Sequence, residues 1–109
     1  MEKTIDEIDF TKGNGLVPVI IQDINSKEVL TLAYANKESL ELTKKTGNTW
    51  LWSRSRKKLW MKGEESGNTQ KVKEILVDCD SDAVIYLVEP SGPACHTGEK
   101  VCFHNSLKK

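Results

Sequence analysis

The sequence has few apolar residues and no excess of charge of either sign. Apolar residues make up 38% of the 109 residues, which is below the usual share in globular domains. Lysine plus arginine and aspartate plus glutamate number 16 each, so no global field attracts nucleic acid or an anionic membrane, and any basic site must be local. We expect one domain over residues 1–109, with a modest core that an oligomer would complete.

Long hydrophobic runs and an even set of cysteines are also missing. The first ten residues lack the apolar stretch of a signal peptide, and no run approaches the ~18 residues of a membrane span. The three cysteines are an odd number, which argues against a closed disulfide framework. These absences predict a cytoplasmic protein with reduced thiols and no membrane partner.

The residue pattern predicts a β-rich α+β domain with one clear helix. Asn36 is typical of an N-cap and Gly47 of the residue that follows a helix, which places the helix at residues 37–46. Pro18 places the first strand at a sheet edge or makes its start irregular, and the apolar run from Ala83 to Val88 predicts a central strand. Strands are predicted at residues 16–22, 28–35, 49–54, 58–62, 69–77, 83–88 and 101–103.

The three thiols, Cys79, Cys95 and Cys102, follow the pattern C-x15-C-x6-C. Spacing alone is equally compatible with three small buried residues. Cys95, however, lies in a loop rich in glycine and proline, where a cysteine is not needed to pack a core. Three thiolates would leave zinc one open position, which is typical of catalytic sites.

His96 is a candidate general base because it follows Cys95 directly. Three thiolates and one Zn²⁺ carry a net negative charge, so such a zinc acidifies water less than one held by imidazoles, and a nearby base becomes useful. A loop histidine bonded to backbone is the alternative interpretation. His104 is expected to be a near-terminal surface residue without a role.

Asp78, Asp80 and Asp82 form a carboxylate triplet around Cys79. In an extended segment the three carboxylates would face one way and the thiol the other. Hard oxygens suit Mg²⁺ and the soft thiolate suits Zn²⁺, so two metal sites would result. A solvated acidic turn is the alternative, and an EF-hand is rejected because Ala83 stands where that loop needs glycine.

A basic and hydroxyl-rich cluster occupies residues 53–58, close to three tryptophans. Guanidinium groups bind phosphate with two parallel hydrogen bonds, and an indole ring can stack on a base. A solvated basic hairpin with core tryptophans is the alternative. The loop G-E-E-S-G at residues 63–67 has glycines that allow its backbone to approach a ligand, although a plain turn is equally compatible.

Together these segments resemble the phosphoribosyl-AMP cyclohydrolase family. The resemblance rests on S-R-S-R-K-K-L-W-M-K-G-E-E-S-G-N-T-Q-K-V (53–72), D-C-D-S-D-A (78–83), and G-P-A-C-H-T-G with C-F (92–103), and it extends from about Asp9 to Phe103. It implies hydrolysis of N1-(5-phosphoribosyl)-AMP at the N1–C6 bond of adenine, the third step of histidine biosynthesis. It also implies antiparallel, pseudobarrel-like sheets in an intertwined homodimer.

The resemblance further implies a set of site residues. Zinc would be held by Cys79 of one subunit and by Cys95 and Cys102 of the other, with His96 activating water. Magnesium would be held by the carboxylate triplet, Asp78, Asp80 and Asp82. By the same resemblance, the residues expected to bind substrate are Ser53, Arg54, Ser55, Arg56, Trp60, Lys62, Glu64, Ser66 and Gln70.

Partners and alternatives follow from the same patterns. Because the chain stops near residue 109, a separate phosphoribosyl-ATP pyrophosphohydrolase is expected to act earlier in the pathway. A zinc-stabilised nucleic-acid-binding module is one alternative, against which zero net charge and the lack of C-x2-C count. A zinc deaminase is another, but the H-x-E and P-C-x-x-C signatures are missing.

Overall fold

The computed structural model describes residues 2–109, which form six β-strands, one α-helix and one short 3-10 helix. The helix α1 spans Lys37–Thr46 and the 3-10 helix spans Ile5–Glu7. Within these residues, no helix is both long and apolar enough to cross a membrane. The strands are β1 (Val17–Asp23), β2 (Val29–Ala35), β3 (Trp50–Ser53), β4 (Lys58–Met61), β5 (Gln70–Val77) and β6 (Val84–Pro90).

Four strands form one mixed sheet in the order β2-β1-β6-β5, and β3 and β4 form a separate antiparallel hairpin. In the sheet, β1 pairs antiparallel with β2 but parallel with β6, and β6 pairs antiparallel with β5. The predicted β-rich α+β class with one α-helix is confirmed. The parallel β1–β6 pair is a feature that the expected antiparallel sheets did not include.

One face of the mixed sheet carries the core. Successive strand residues point to opposite faces, so alternate residues of β1 are buried and those between them are half-buried. The residues of β1 and β6 with at most 1% of their surface exposed are Val17, Val19, Ile21, Val84, Tyr86 and Val88. Leu40 of α1 and Leu51 of β3 belong to the same buried cluster, so the helix and the hairpin cover this face.

The helix begins and ends as its flanking residues predict. Asn36 Oδ1 accepts from Ser39 N at 2.9 Å, and Ser39 Oγ accepts from Asn36 N at 2.9 Å, so two backbone donors at the helix start are satisfied. Gly47 follows the helix with a φ of 78°, a left-handed conformation that favours glycine. The predicted helix at residues 37–46 is therefore confirmed.

Two strand predictions need correction. Pro18 does not mark a sheet edge, because β1 has a neighbour on each side; its missing N–H is tolerated since the pairing with β6 begins one residue later, at Val19. The predicted strand at residues 101–103 does not form. Cys102 N donates to Leu30 O at 2.7 Å, but Phe103 is 61% exposed, and one ladder bond without burial does not make a strand.

Candidate functional site

Two adjacent clefts collect most of the residues predicted to bind substrate. The cysteine-side cleft has a volume of about 460 Å³, and the arginine-side cleft one of about 720 Å³. They share a wall formed by Leu32, Ala33, Arg56 and Trp60. The cysteine-side cleft also contains Lys62, Glu64, Ser66, His96 and Cys102, and the arginine-side cleft contains Ser53, Arg54 and Ser55.

The turn between β3 and β4 presents the two arginines to solvent. Ser53 Oγ accepts from Arg56 N at 3.2 Å, and Lys57 takes a φ of 53°, so the chain reverses tightly and both guanidinium groups stay exposed. The Arg54 guanidinium lies 3.8 Å from the centre of the Tyr34 ring, a cation–π contact worth about 0.5–1 kcal/mol at an exposed site. Tyr34 was not predicted as a site residue, because its partner lies 20 residues away in sequence on another element.

The backbone of the loop at residues 63–67 explains why it contains glycine. Gly63 has a φ of 84°, and a Cβ there would lie 2.5 Å from the backbone of Asn68 and Thr69. Gly67 N closes the loop by donating to Gly63 O at 2.8 Å. The loop thereby places Glu64 and Ser66 on the cysteine-side cleft.

Lys62 and Gln70 differ from the other residues predicted to bind substrate. Lys62 lines the cysteine-side cleft, but its Nζ donates to Ala94 O at 2.6 Å. It therefore holds the start of the segment that contains Cys95 and Cys102. Gln70 lines neither cleft and is 1% exposed. Within residues 2–109 neither atom of its amide has a hydrogen-bond partner, an arrangement that costs about 1–3 kcal/mol for a buried group.

Residues 94–102 form a tight loop, called here the cysteine loop. Ala94 N donates to Lys100 O at 3.1 Å, and Cys95 N donates to Glu99 O at 3.2 Å. The loop is tied to the turn between β1 and β2, because Lys100 Nζ lies 2.5 Å from Glu28 Oε1 and 3.4 Å from the buried Asp23 carboxylate. The loop therefore has a defined shape although it lacks regular secondary structure.

The cysteine loop favours the thiolate form of Cys95. Thr97 Oγ1 donates to Cys95 Sγ at 3.1 Å, and His104 Nε2 lies 3.8 Å from the same sulfur. Hydrogen bonds from Thr97, and smaller ones from His104 and Cys102, lower the pKa of Cys95 to about 6. His104 is exposed, as expected, but no sequence pattern indicated its contact with Cys95.

Residues 78–82 form a turn, called here the acidic turn, which agrees with the alternative interpretation of this segment. The predicted alternation of carboxylates and thiol depended on an extended segment, which does not form. β5 ends at Val77, and Ser81 has a φ of 60°. Asp78 Oδ1 accepts from Asp82 N at 2.9 Å and from Ala83 N at 3.3 Å, and these bonds, with that to Asp82 first, lower the pKa of Asp78. The Asp82 carboxylate lies 3.1 Å from Lys12 Nζ.

The predicted metal donors do not come together within one chain. The acidic turn with Cys79 precedes β6, whereas the cysteine loop follows it, and a seven-residue strand is about 20 Å long. Across residues 2–109, no three histidine, cysteine or carboxylate side chains form a group that could hold a metal ion. The donor chemistry nevertheless suits zinc, because Cys95 and Cys102 share one loop and the thiolate of Cys95 is favoured.

Known proteins resemble this chain over nearly its whole length. A family model described as phosphoribosyl-AMP cyclohydrolase matches residues 31–104. The phosphoribosyl-AMP cyclohydrolase of Nitrosopumilus maritimus is 80% identical over 99% of this chain and 100% of its own length, and that of Cenarchaeum symbiosum is 78% identical over 98% and 99%. A histidine biosynthesis bifunctional protein of Bacillus subtilis is 63% identical over 93% of this chain, which spans 48% of that longer protein.

In the metal-free chain, the Cys95 thiol should titrate with a midpoint near pH 6, because Thr97, His104 and Cys102 stabilise the thiolate. The folded pKa lies below the ordinary 9.0, so this stabilisation of the fold is complete above pH 9 and is lost as the pH falls through 6. The measurement is the thiolate absorbance of the chain minus that of a Cys95→Ser variant.

The matched variant for this titration is Thr97→Val, which keeps the shape of the side chain and removes the strongest donor. Its midpoint should move upward, towards 9. A midpoint near 9 in the original chain, unchanged by Thr97→Val, would contradict the assignment.

Proposed function

Because the chain belongs to the phosphoribosyl-AMP cyclohydrolase family, we propose that it hydrolyses N1-(5-phosphoribosyl)-AMP in histidine biosynthesis. The oxygen of water bonds to C6 of adenine, the C6–N1 bond breaks, a proton moves to N1, and C6 becomes a carboxamide. The observation that carries this proposal is the cysteine-side cleft, which joins an indole, a guanidinium, an imidazole and a thiol: Trp60, Arg56, His96 and Cys102.

The two clefts suit a substrate that has one base and two separate phosphates. Arg54 and Arg56 lie at the open arginine-side cleft, where their guanidinium groups bind phosphate. Trp60 belongs to both clefts, and its ring supplies a stacking surface for the adenine between them. Lys62 contributes by holding Ala94, so we assign it to positioning and not to direct contact with substrate.

Zinc is the cofactor that the three cysteines would hold. We propose that Cys95 and Cys102 of one subunit act together with Cys79 of a second subunit, since the two loops lie at opposite ends of β6 in one chain. When bound, zinc supplies a Lewis acid and an acidified water. His96 lies on the same cleft as Cys102 and accepts the proton that water loses.

Magnesium is the ion proposed for the acidic turn. Asp80 is exposed, whereas Asp78 accepts two backbone hydrogen bonds and Asp82 pairs with Lys12. These bonds leave the Asp78 carboxylate with further lone pairs, and the exposed pair of Asp82 with Lys12 is weak enough for a divalent cation to displace. Carboxylate oxygens suit Mg²⁺, and the ion would draw together three side chains that do not form a metal-holding group in residues 2–109.

A homodimer is supported by the outer face of the mixed sheet. Register places four apolar side chains in one row across it, because Leu32 pairs with Ile20, Ile20 with Ile85 and Ile85 with Leu76. The two end residues, Leu32 and Leu76, are 48% and 40% exposed. An exposed apolar row is a surface that a second subunit would cover, and Leu32 also lines both clefts, so such an interface would adjoin the site.

The upstream partner is proposed from the longer relative. The histidine biosynthesis bifunctional protein of Bacillus subtilis matches this chain over 48% of its length. We propose that a phosphoribosyl-ATP pyrophosphohydrolase supplies the substrate of this chain.

The activity is tested with purified, zinc- and magnesium-loaded protein and phosphoribosyl-AMP. Opening of the adenine ring should change the ultraviolet absorbance, with one carboxamide product formed and no ammonia released. Release of ammonia would indicate a deaminase. Salt-dependent binding of RNA without hydrolysis of the nucleotide would instead indicate a nucleic-acid-binding module.

If His96 is the general base, its replacement should lower turnover without lowering the zinc content. His96→Ala should keep its zinc, because the histidine is not among the proposed ligands, and should lose roughly 10²–10⁴-fold in turnover at neutral pH, the usual contribution of a general base. Zinc content is measured by elemental analysis and turnover by the absorbance assay. Turnover close to that of the original chain would remove His96 from the mechanism.

The shared zinc site predicts that two inactive variants restore each other. In a mixture of Cys79→Ser and Cys95→Ser chains, each heterodimer holds one complete site, so statistical exchange should restore about one quarter of the original activity. Exchange is verified by native mass spectrometry and activity by the absorbance assay.

The matched control is a mixture of Cys95→Ser with Cys102→Ser. Both changes affect the same half of the site, so no heterodimer holds a complete set of thiols and activity should stay absent. Equal activity in the two mixtures would contradict a site shared in the proposed way.

A further inference from the structure

Lys3 contacts the acidic turn although it is 75 residues away from Asp78 in sequence. Its Nζ donates to Asp78 O at 3.1 Å, to Cys79 O at 3.2 Å and to Ser81 Oγ at 2.6 Å. An ammonium group has three donors, and each of these contacts takes one. All three acceptors are backbone carbonyls or a hydroxyl, so Lys3 itself occupies neither a carboxylate oxygen nor the Cys79 thiol.

The segment that carries Lys3 is anchored to the core. The 3-10 helix at Ile5–Glu7 begins with a capping box, in which Thr4 N donates to Glu7 Oε1 at 3.3 Å. Ile8 is 9% exposed and belongs to the buried cluster. Lys3 therefore projects from a fixed segment and not from a free end.

Ser81 is the residue of the turn that most needs external support. Its φ of 60° lies in the left-handed region, which disfavours residues other than glycine, asparagine and aspartate. Two contacts from the N-terminal segment hold it there: Asp9 N donates to Ser81 O at 2.7 Å, and Lys3 Nζ donates to Ser81 Oγ. Lys3 and Asp9 thus support the conformation that fixes the directions of Asp80 and Asp82, in addition to the hydrogen bonds that Asp78 accepts within the turn.

Lys12 contacts the same turn in a different way. Its Nζ lies 3.1 Å from Asp82 Oδ2, so it occupies an oxygen that a cation would use. Its side chain is 56% exposed, and a surface pair of this kind is easily exchanged. Lys12 therefore competes with a metal ion, whereas Lys3 supports the turn without taking a ligand.

We propose that Lys3 is a positioning residue that holds the acidic turn, with Cys79, in the geometry that binds metal. This inference rests on the proposed function, because that function assigns Cys79 to zinc and the carboxylates to magnesium. Groups that orient metal ligands from outside typically contribute 10–100-fold to metal affinity. No sequence motif marks Lys3, because its acceptors are mainly backbone atoms.

The test compares Lys3→Met with Lys45→Met in the full chain. Lys45 is an exposed lysine in the last turn of α1, and Met keeps the length of the side chain in both variants. Two quantities are measured: zinc affinity by competition with a chromophoric chelator, and amide hydrogen exchange of residues 78–82 in the metal-free protein. The thermal midpoint of each variant monitors global stability.

Lys3→Met should weaken zinc binding about 10-fold and accelerate exchange in the acidic turn, with a thermal midpoint close to that of Lys45→Met. Lys45→Met should change neither quantity. Unchanged exchange in Lys3→Met, or unchanged zinc affinity, would overturn the inference. If the original chain bound no zinc, the proposed zinc site would fail, while the exchange measurement would still decide whether Lys3 holds the turn.

Discussion

The parallel pairing of β1 with β6 is the constraint on which the site depends. It places β6 inside the mixed sheet, with β5 on its other side, so the strand is held along its length. The acidic turn precedes this strand and the cysteine loop follows it. A strand about 20 Å long therefore separates Cys79 from Cys95 and Cys102, and for this reason the three-thiol site proposed above is shared with a second subunit.

Lysine side chains shape the segments around the site. Lys62 binds the carbonyl of Ala94, Lys100 pairs with Glu28 and Asp23, and Lys3 binds carbonyls of the acidic turn. A long cationic side chain can satisfy backbone carbonyls in loops that have no ladder of their own. The chain has zero net charge, yet several lysines position the segments around the candidate site.

Secondary structure was predictable from the sequence where it depends on residues within the same element. Asn36 and Gly47 mark the ends of α1, and the apolar run from Ala83 to Val88 indicates the central strand β6, because caps and burial periodicity act over a few residues. The short segment at residues 101–103 misled the prediction, since it has strand-like residues but Phe103 finds no burial. The motif residues around Trp60 were identified by resemblance, and the structure brings most of them to two adjoining clefts.

The sequence by itself determined the family and the one α-helix of residues 2–109. It also supplied the hypotheses of thiolate and carboxylate metal donors and of phosphate-binding arginines, because residue identity carries that chemistry. Only the tertiary structure decided that residues 78–82 turn, that Arg54 stacks on Tyr34, and that Thr97 and His104 favour the Cys95 thiolate. These arrangements depend on contacts between residues distant in sequence or on backbone conformation. Long-range contacts and single-residue backbone conformations produce no periodic pattern in the amino-acid sequence.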